Sequence, residues 1–333
     1  MIAPLYFKLL GSASILMRPL WISGGLFLLA HCAGARGAEP QAKVAVPQSA
    51  PYSLSVSVDE VSLNFHAADV HGLPVNDLKL DELNLLDNGT PPRRIVAFGS
   101  LREFPIRAGF LMDTSVSMEG YLARNRAISL EYAQRLLRQQ TDQAFVMDFD
   151  SQSRVTQSWT SSTALLTEGL HSFVANGKGH SGGTAIFDAV YRACLNQFGR
   201  LDRTDSANFI LLFSDGEDNA SQASVKDAIG MCQRANTAIY IFRAQSQDSF
   251  SEGPKTLAEL AAKSGGHVFY DAGSDAEVYT DLRTIEADLR NQYRLIYKPA
   301  ELKRDGSFHR IALKGPARVE SIAVRSGYYA PLH

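Results

Sequence analysis

Cysteine is scarce: the chain has three among 333 residues, too few for a disulfide-framed mini-domain or a Cys-rich zinc module. No charge dominates either, with 33 Lys and Arg against 35 Asp and Glu. A net charge of −2, with no long single-sign run, argues against nucleic acid as the main partner. Beyond the amino end no run of about 18 apolar residues occurs, so the expected mature chain has no membrane span. The sequence lacks a G-x-S-x-G elbow, a Walker loop and a dinucleotide fingerprint. None of the eight His residues has a second ligand at metal-binding spacing, His171, His180 and His267 included. What remains is ordinary for a folded protein: 45% hydrophobic residues, 25 Gly and 13 Pro. That excludes disordered, collagen-like and coiled-coil chains, and the length suggests about two domains.

The amino end reads as a targeting segment. Arg18 precedes an apolar stretch, PLWISGGLFLLA, and small residues follow, with Ala33-Gly34-Ala35 as the cleavage signal. Residues 1–35 are therefore expected to be a signal peptide, and Met17 offers an alternative start. Leu29-Ala30-His31-Cys32 resembles a lipobox, but bulky His31 favours soluble export over lipidation at Cys32. The expected destination is the periplasm, the cell surface or the medium. Removing Lys8 and Arg18 leaves 31 − 35 = −4. Cys194 and Cys232 then remain, both on apolar faces of expected helices, where buried free thiols are expected rather than a disulfide.

Residues 36–51 are rich in Ala, Pro and Gln and read as a flexible leader. From Tyr52 the hydrophobic period is two: Tyr52, Leu54, Val56 and Val58, then Val61, Leu63 and Phe65. Such alternation marks half-buried strands, and Asn88-Gly89 reads as a tight turn. Residues 52–104 are thus a small all-β unit. From about residue 105 to 290, fully apolar strands such as AGFLMD and ANFILLFSD alternate with amphipathic helices, which implies a mostly parallel sheet covered on both faces. After residue 291 strands return: YRLIYKPA, FHRIALKG and VESIAVRSGYYA. Each β flank is short for a core of its own. The expected architecture is therefore α/β, a doubly wound, mostly parallel sheet inserted in a small all-β sandwich-like domain (52–104 with 291–333).

One apolar strand delivers Asp113-Thr114-Ser115-Val116-Ser117, and another delivers Ser214-Asp215-Gly216-Glu217-Asp218-Asn219. Between them Ser181-Gly182-Gly183-Thr184 opens a helix. Ligands of doubly wound sheets bind beyond the carboxyl ends of the strands, where strand order reverses. If these strands flank that crevice, Asp113, Ser115, Ser117, Thr184 and Asp215 converge there. Two carboxylates and three hydroxyls are hard oxygen donors suited to Mg²⁺, with Mn²⁺ or Ca²⁺ as alternatives. Each residue alone would read as a helix cap or turn residue. Glu217 and Asp218 read as a solvated acidic rim, and Asp148 and Asp150 receive no role.

This constellation resembles the metal-ion-dependent adhesion site of von Willebrand factor type A domains, over roughly residues 105–290. The resemblance implies that Ser115, Ser117 and Thr184 supply hydroxyl ligands, with Asp113 and Asp215 binding directly or through water. The flanks, including DVHGLPVNDLKLDELNLLDNGTPPRRIVAF and SGYYAP, resemble exported bacterial proteins related to that family, common in acidobacteria. Val116 replaces a glycine often found within the site. The implied function is a metal-dependent protein-interaction module that binds a partner's Asp or Glu carboxylate, not an enzyme. The competing readings are a metal-dependent hydrolase or phosphoryl-transfer enzyme using Asp113, and a structural scaffold. A phosphatase would want a second Asp where Ser115 stands.

Overall fold

Alternating Val61, Leu63 and Phe65 build strand β1 (Val61–Ala68), the first element of a computed structural model. It describes residues 59–331 except 139, 173–182, 201–205, 245–251 and 271–273. The expected signal peptide, Cys32, the leader, the Tyr52–Val58 strand and Ser181-Gly182 lie outside the described residues. Strand β2 (Asn84–Asp87) turns sharply into β3 (Arg94–Ser100). Asp87 and Thr90 exchange backbone bonds at 2.9 Å across Asn88 (φ 49°) and Gly89 (φ 78°). Two successive positive φ values are what an Asn-Gly pair tolerates. β2 and β3 do not pair, because they enter different sheets.

The apolar runs then form β4 (Ile106–Asp113), β5 (Gln143–Phe149), β7 (Ala207–Ser214), β8 (Thr237–Arg243) and β9 (Val268–Tyr270), with β6 (Ser153–Thr160) at one edge. Their order is β6-β5-β4-β7-β8-β9, and every pairing is parallel except β5 with β6. All eight residues of β7 are buried, as a strand covered on both faces requires. Helices α1 (Leu122–Arg135), α2 (Thr163–Ser172) and α6 (Asp275–Arg290) cover one face, where Ile128, Leu166 and Leu282 meet Phe110 and Phe209. Helices α3 (Ile186–Arg192), α4 (Val225–Arg234) and α5 (Gly253–Ser264) cover the other, where Val190, Ile229 and Leu260 meet Leu111 and Ile210. Truncating one of these side chains to Ala costs about 2–5 kcal/mol, through lost transfer energy and a residual cavity.

Two local features of these helices matter. The helix after β4 begins only at Leu122, because Val116–Tyr121 is a 3₁₀ segment. The helix expected to carry Cys194 is α-helical only to Arg192 and continues as a π-helical turn, Ala193–Gln197. That turn holds Cys194, which is bonded to Cys232 of α4. The expectation of two free thiols is therefore corrected. Both side chains are fully buried, as expected, but α3 and α4 lie side by side, and their Cα atoms are 5.0 Å apart. Closing a loop between residues separated by 38 positions stabilises the fold by about 4 kcal/mol on the chain-entropy account.

After α6 the chain passes into β10 (Gln292–Lys298), then β11 (Phe308–Lys314), β12 (Ser321–Val324) and β13 (Gly327–Tyr329). Strands from both flanks mix: one antiparallel sheet runs β12-β1-β10-β3 and another β13-β11-β2. Leu63, Phe65 and Leu295 of the first sheet share an apolar core with Leu85, Ile311 and Tyr328 of the second. Beside that core, Asp87 accepts from the Tyr297 and Tyr328 hydroxyls at 2.9 and 2.8 Å and contacts His309 Nδ1 at 2.8 Å. Polar side chains stitch the β sheets to the α/β part. Gln233 of α4 donates to the Gly327 carbonyl (3.0 Å) and accepts from the Tyr329 amide (3.1 Å). Arg325 donates to the Ser62 and Gln233 carbonyls.

Candidate metal centre

β4 and β7 are neighbours, and the chain leaves them in opposite directions, β4 towards β5 and β7 towards β8. The crevice where strand order reverses therefore lies between Asp113, the last residue of β4, and Ser214, the last of β7. The Ser214 hydroxyl donates to Asp113 Oδ2 at 2.6 Å, and the Ser115 amide donates to Asp113 Oδ1 at 3.0 Å. Thr114 is pinned to β5 by its amide and hydroxyl, both donating to the Phe149 carbonyl. These bonds aim the following 3₁₀ turn so that the Ser115 and Ser117 hydroxyls lie 3.2 Å apart. Asp113, Ser115, Thr184 and Asp215 are buried, whereas Ser117 is exposed and Val116 is 68% exposed. The carboxylates thus sit at the base of a site whose mouth is the Val116–Ser117 turn.

On the β7 side, Asp215 Oδ1 accepts from the Glu217 amide at 3.1 Å. Gly216 between them has φ 94°, and a Cβ there would meet the Gly253 backbone at 2.9 Å. Only glycine allows this turn its close approach to α5. Thr184 stands just ahead of α3 and is fastened to the same loop. Its amide donates to Asn219 Oδ1 at 2.8 Å, and its carbonyl accepts from the Asn219 and Ala220 amides, both at 3.0 Å. The Ala185 amide donates to the Asp150 carbonyl at 2.8 Å.

Sequence reasoning missed Ser214 and Asn219 altogether and misjudged Asp218. Far from a solvated rim, Asp218 Oδ2 accepts from the Phe187 amide of α3 (3.0 Å) and from the Ser221 hydroxyl (2.7 Å). The run of Ser, Asp and Asn after β7 was the available signal, since these side chains satisfy backbone donors at helix starts. Asp148 pairs with Arg154, and Asp150 contributes its backbone.

Burial pushes the Asp113 carboxyl up to about 6. Hydrogen bonds from Ser115 and Ser214 pull it down, and the like charge of Asp215 pushes it further up. A buried carboxylate near a second one needs a cation or a proton. Asp113, Ser115, Ser117, Thr184 and Asp215 carry only oxygen donors on their side chains, and such chemistry fits a hard divalent cation better than a soft one.

The family model described as von Willebrand factor type A domain matches residues 109–285, more than half of the chain. The chain belongs to the von Willebrand factor type A domain family. Its mostly parallel sheet with flanking helices is the fold of this domain, and the antiparallel sheets form an additional β domain. Among solved structures, BatB from Bacteroides thetaiotaomicron is similar at 15% identity and a TM-score of 0.44, over 54% of this chain and 97% of that one. Proximal thread matrix protein 1 from the mussel byssus is similar at 14% identity and a TM-score of 0.47, over 61% of this chain and 50% of that one. Another structure of that mussel protein has a zinc-occupied MIDAS motif, at 15% identity and a TM-score of 0.45, over 61% of this chain and 49% of that one. This chain thus spans about half of the mussel protein. No curated protein matches. Within the described residues, no helix is long and apolar enough to cross a membrane.

Proposed function

We propose that this chain is an exported interaction module whose von Willebrand factor type A unit binds a partner carboxylate through a divalent cation. The cation would be held by Asp113, Ser115, Ser117, Thr184 and Asp215, with Mg²⁺ the best match to two carboxylates and three hydroxyls and Mn²⁺ or Ca²⁺ as alternatives. The observation that carries the reading is the buried Asp113 carboxyl at the end of β4, facing the charge of Asp215, with the two serine hydroxyls 3.2 Å apart beside it. A cation bound there neutralises the buried pair. Neutral hydroxyl ligands leave it enough positive character to attract an acidic side chain of a protein or peptide. The Cys194–Cys232 bond supports export, because disulfides persist in oxidising compartments.

Titration calorimetry of the purified chain with Mg²⁺ and Mn²⁺ tests the first half of this reading. Saturable uptake is expected in the wild type and is lost in Asp113→Ala. A Mg²⁺-dependent pull-down from the native envelope or medium tests the second half. A captured partner that survives both chelation and Asp113→Ala would disprove the carboxylate–cation mechanism. Turnover in a Mg²⁺-dependent hydrolase screen, lost in Asp113→Ala, would move the assignment to an enzyme.

A further inference from the structure

Asp113 and Asp215 ride on the ends of two paired strands, so the sheet itself places them. Thr184 lies on no strand, and the end of β5 reaches its segment through the Ala185 amide, which donates to the Asp150 carbonyl at 2.8 Å. Thr184 precedes a helix whose first turn lacks a side-chain cap from its own segment. Helix amides left open in this way are satisfied by neighbouring groups or water. Here the loop after Asp215 supplies the acceptors. Asn219 grips the Thr184 backbone on both sides, its side chain accepting from the amide and its own amide donating to the carbonyl. Asp218 Oδ2 accepts from the Phe187 amide, and Ser221 Oγ accepts from the Asp188 amide at 3.1 Å. The exchange is reciprocal, because Asp188 Oδ1 accepts from the Gln222 and Ala223 amides at 3.2 and 2.8 Å. Ser221 closes the loop on itself, its amide donating to Asp218 Oδ1 at 3.1 Å.

We propose that Asn219 and Asp218 are positioning residues that lock Thr184 to the Asp215 loop, so that the two sides of the metal site are presented as one rigid body. The proposal rests on the metal-binding reading above. Neither side chain is placed on the cation: Asn219 acts through the Thr184 backbone, and Asp218 acts through the start of α3. Held this way, the Thr184 hydroxyl is in place before a cation arrives, and no ordering cost falls on binding. The same loop thus places two of the five donors.

The test compares the purified wild-type chain with Asn219→Ala, Asn219→Asp and Asp218→Ala. Two quantities are read: the Mn²⁺ dissociation constant by calorimetry, and hydrogen exchange of the Thr184 amide in EDTA. Asn219→Ala is expected to weaken Mn²⁺ uptake about three- to tenfold, the scale of one lost hydrogen bond, and to speed Thr184 exchange. Asn219→Asp keeps the acceptor and is expected to restore slow exchange; its added charge also attracts cations, so exchange carries the rescue. Asp218→Ala is expected to shift both readings in the same direction and serves if Asn219→Ala fails to fold. Wild-type affinity and wild-type exchange in Asn219→Ala overturn the proposal. Fast exchange in Asn219→Asp overturns it too, since the acceptor is then not what holds Thr184. A wild type that takes up no cation sinks the metal reading itself, a result distinct from the loss of this positioning role alone.

Discussion

At the amino end of β4, Asp142 accepts from the Ile106 and Arg138 amides, each at 2.8 Å, and is paired with Arg290 of α6. At the carboxyl end of the same strand, Asp113 accepts from the Ser214 hydroxyl and from Ser115 and faces the charge of Asp215. Both carboxylates are fully buried. Burial alone would raise each, but at Asp142 the bonds from Arg290, Ile106 and Arg138 outweigh it and hold the carboxyl below the ordinary range. At Asp113 burial prevails, and the carboxyl sits at about 6. One end of the sheet is therefore neutralised by the chain's own guanidinium, and the other is where the proposed cation would supply the balancing charge. Arg290 is the last residue of α6 and leads directly into β10. The Asp142 pair thus also anchors the start of the second β flank.

Breaking the two ends separately sharpens this contrast. Arg290→Ala strands a buried carboxylate, and a stability loss of about 3–5 kcal/mol is expected in urea unfolding. Asp113→Ala removes a buried charge that faces the like charge of Asp215. In EDTA it is expected to leave the urea midpoint unchanged or raised, while the rise in melting temperature that Mg²⁺ gives the wild type disappears. Equal losses in the two variants would mean that Asp113 is structural, as Asp142 is. A smaller effect is expected from replacing both Cys194 and Cys232 by Ser, about 2–4 kcal/mol by the same measurement.

A half-buried carboxylate, Asp288 of α6, offers a further contrast. Burial pushes it up to about 6 despite a bond from the Tyr240 hydroxyl. His66 Nδ1 of β1 lies 3.3 Å from it, and burial holds that imidazole below its ordinary range. The signs are opposite in pH. The folded state keeps a proton on Asp288 that the unfolded chain releases, so this contribution is lost as pH rises through about 6. His66 stays neutral in the fold while the unfolded chain takes up a proton, so its contribution is lost as pH falls through the ordinary imidazole range. Melting in EDTA from pH 5 to 8 is expected to show the smallest effect of the series. Asp288→Asn should remove the fall in stability that ends near pH 6, where the folded carboxyl ionises, and His66→Asn the loss on acidification below the ordinary imidazole range; profiles parallel to wild type would refute the assignment.

Much of the candidate site was legible because its parts are local. Asp113, Ser115 and Ser117 lie within one turn after an apolar strand, and Asp215-Gly216 follows another, so residue type and strand period suffice to place them. The doubly wound sheet was legible for the same reason, since strands covered on both faces must be apolar throughout. Asp142 with Arg290 was not legible, because the partners stand 148 positions apart. Nor was the grip of Asn219 on Thr184, which joins two loops 35 residues apart. The bond between Cys194 and Cys232 escaped as well: apolar helix faces predict burial, but not which two helices share a groove.

From the order of residues alone came the alternation of strand and helix, the family, and five candidate oxygen donors in their chain positions. Each follows from periodicity or from chemistry confined to a few neighbouring residues. Folding in three dimensions decided which buried carboxylate received an arginine and which did not, which helices a disulfide joins, and which side chains hold Thr184. Those outcomes depend on distances between segments remote in the chain, and only the packed sheet with its two helical layers brings them into contact.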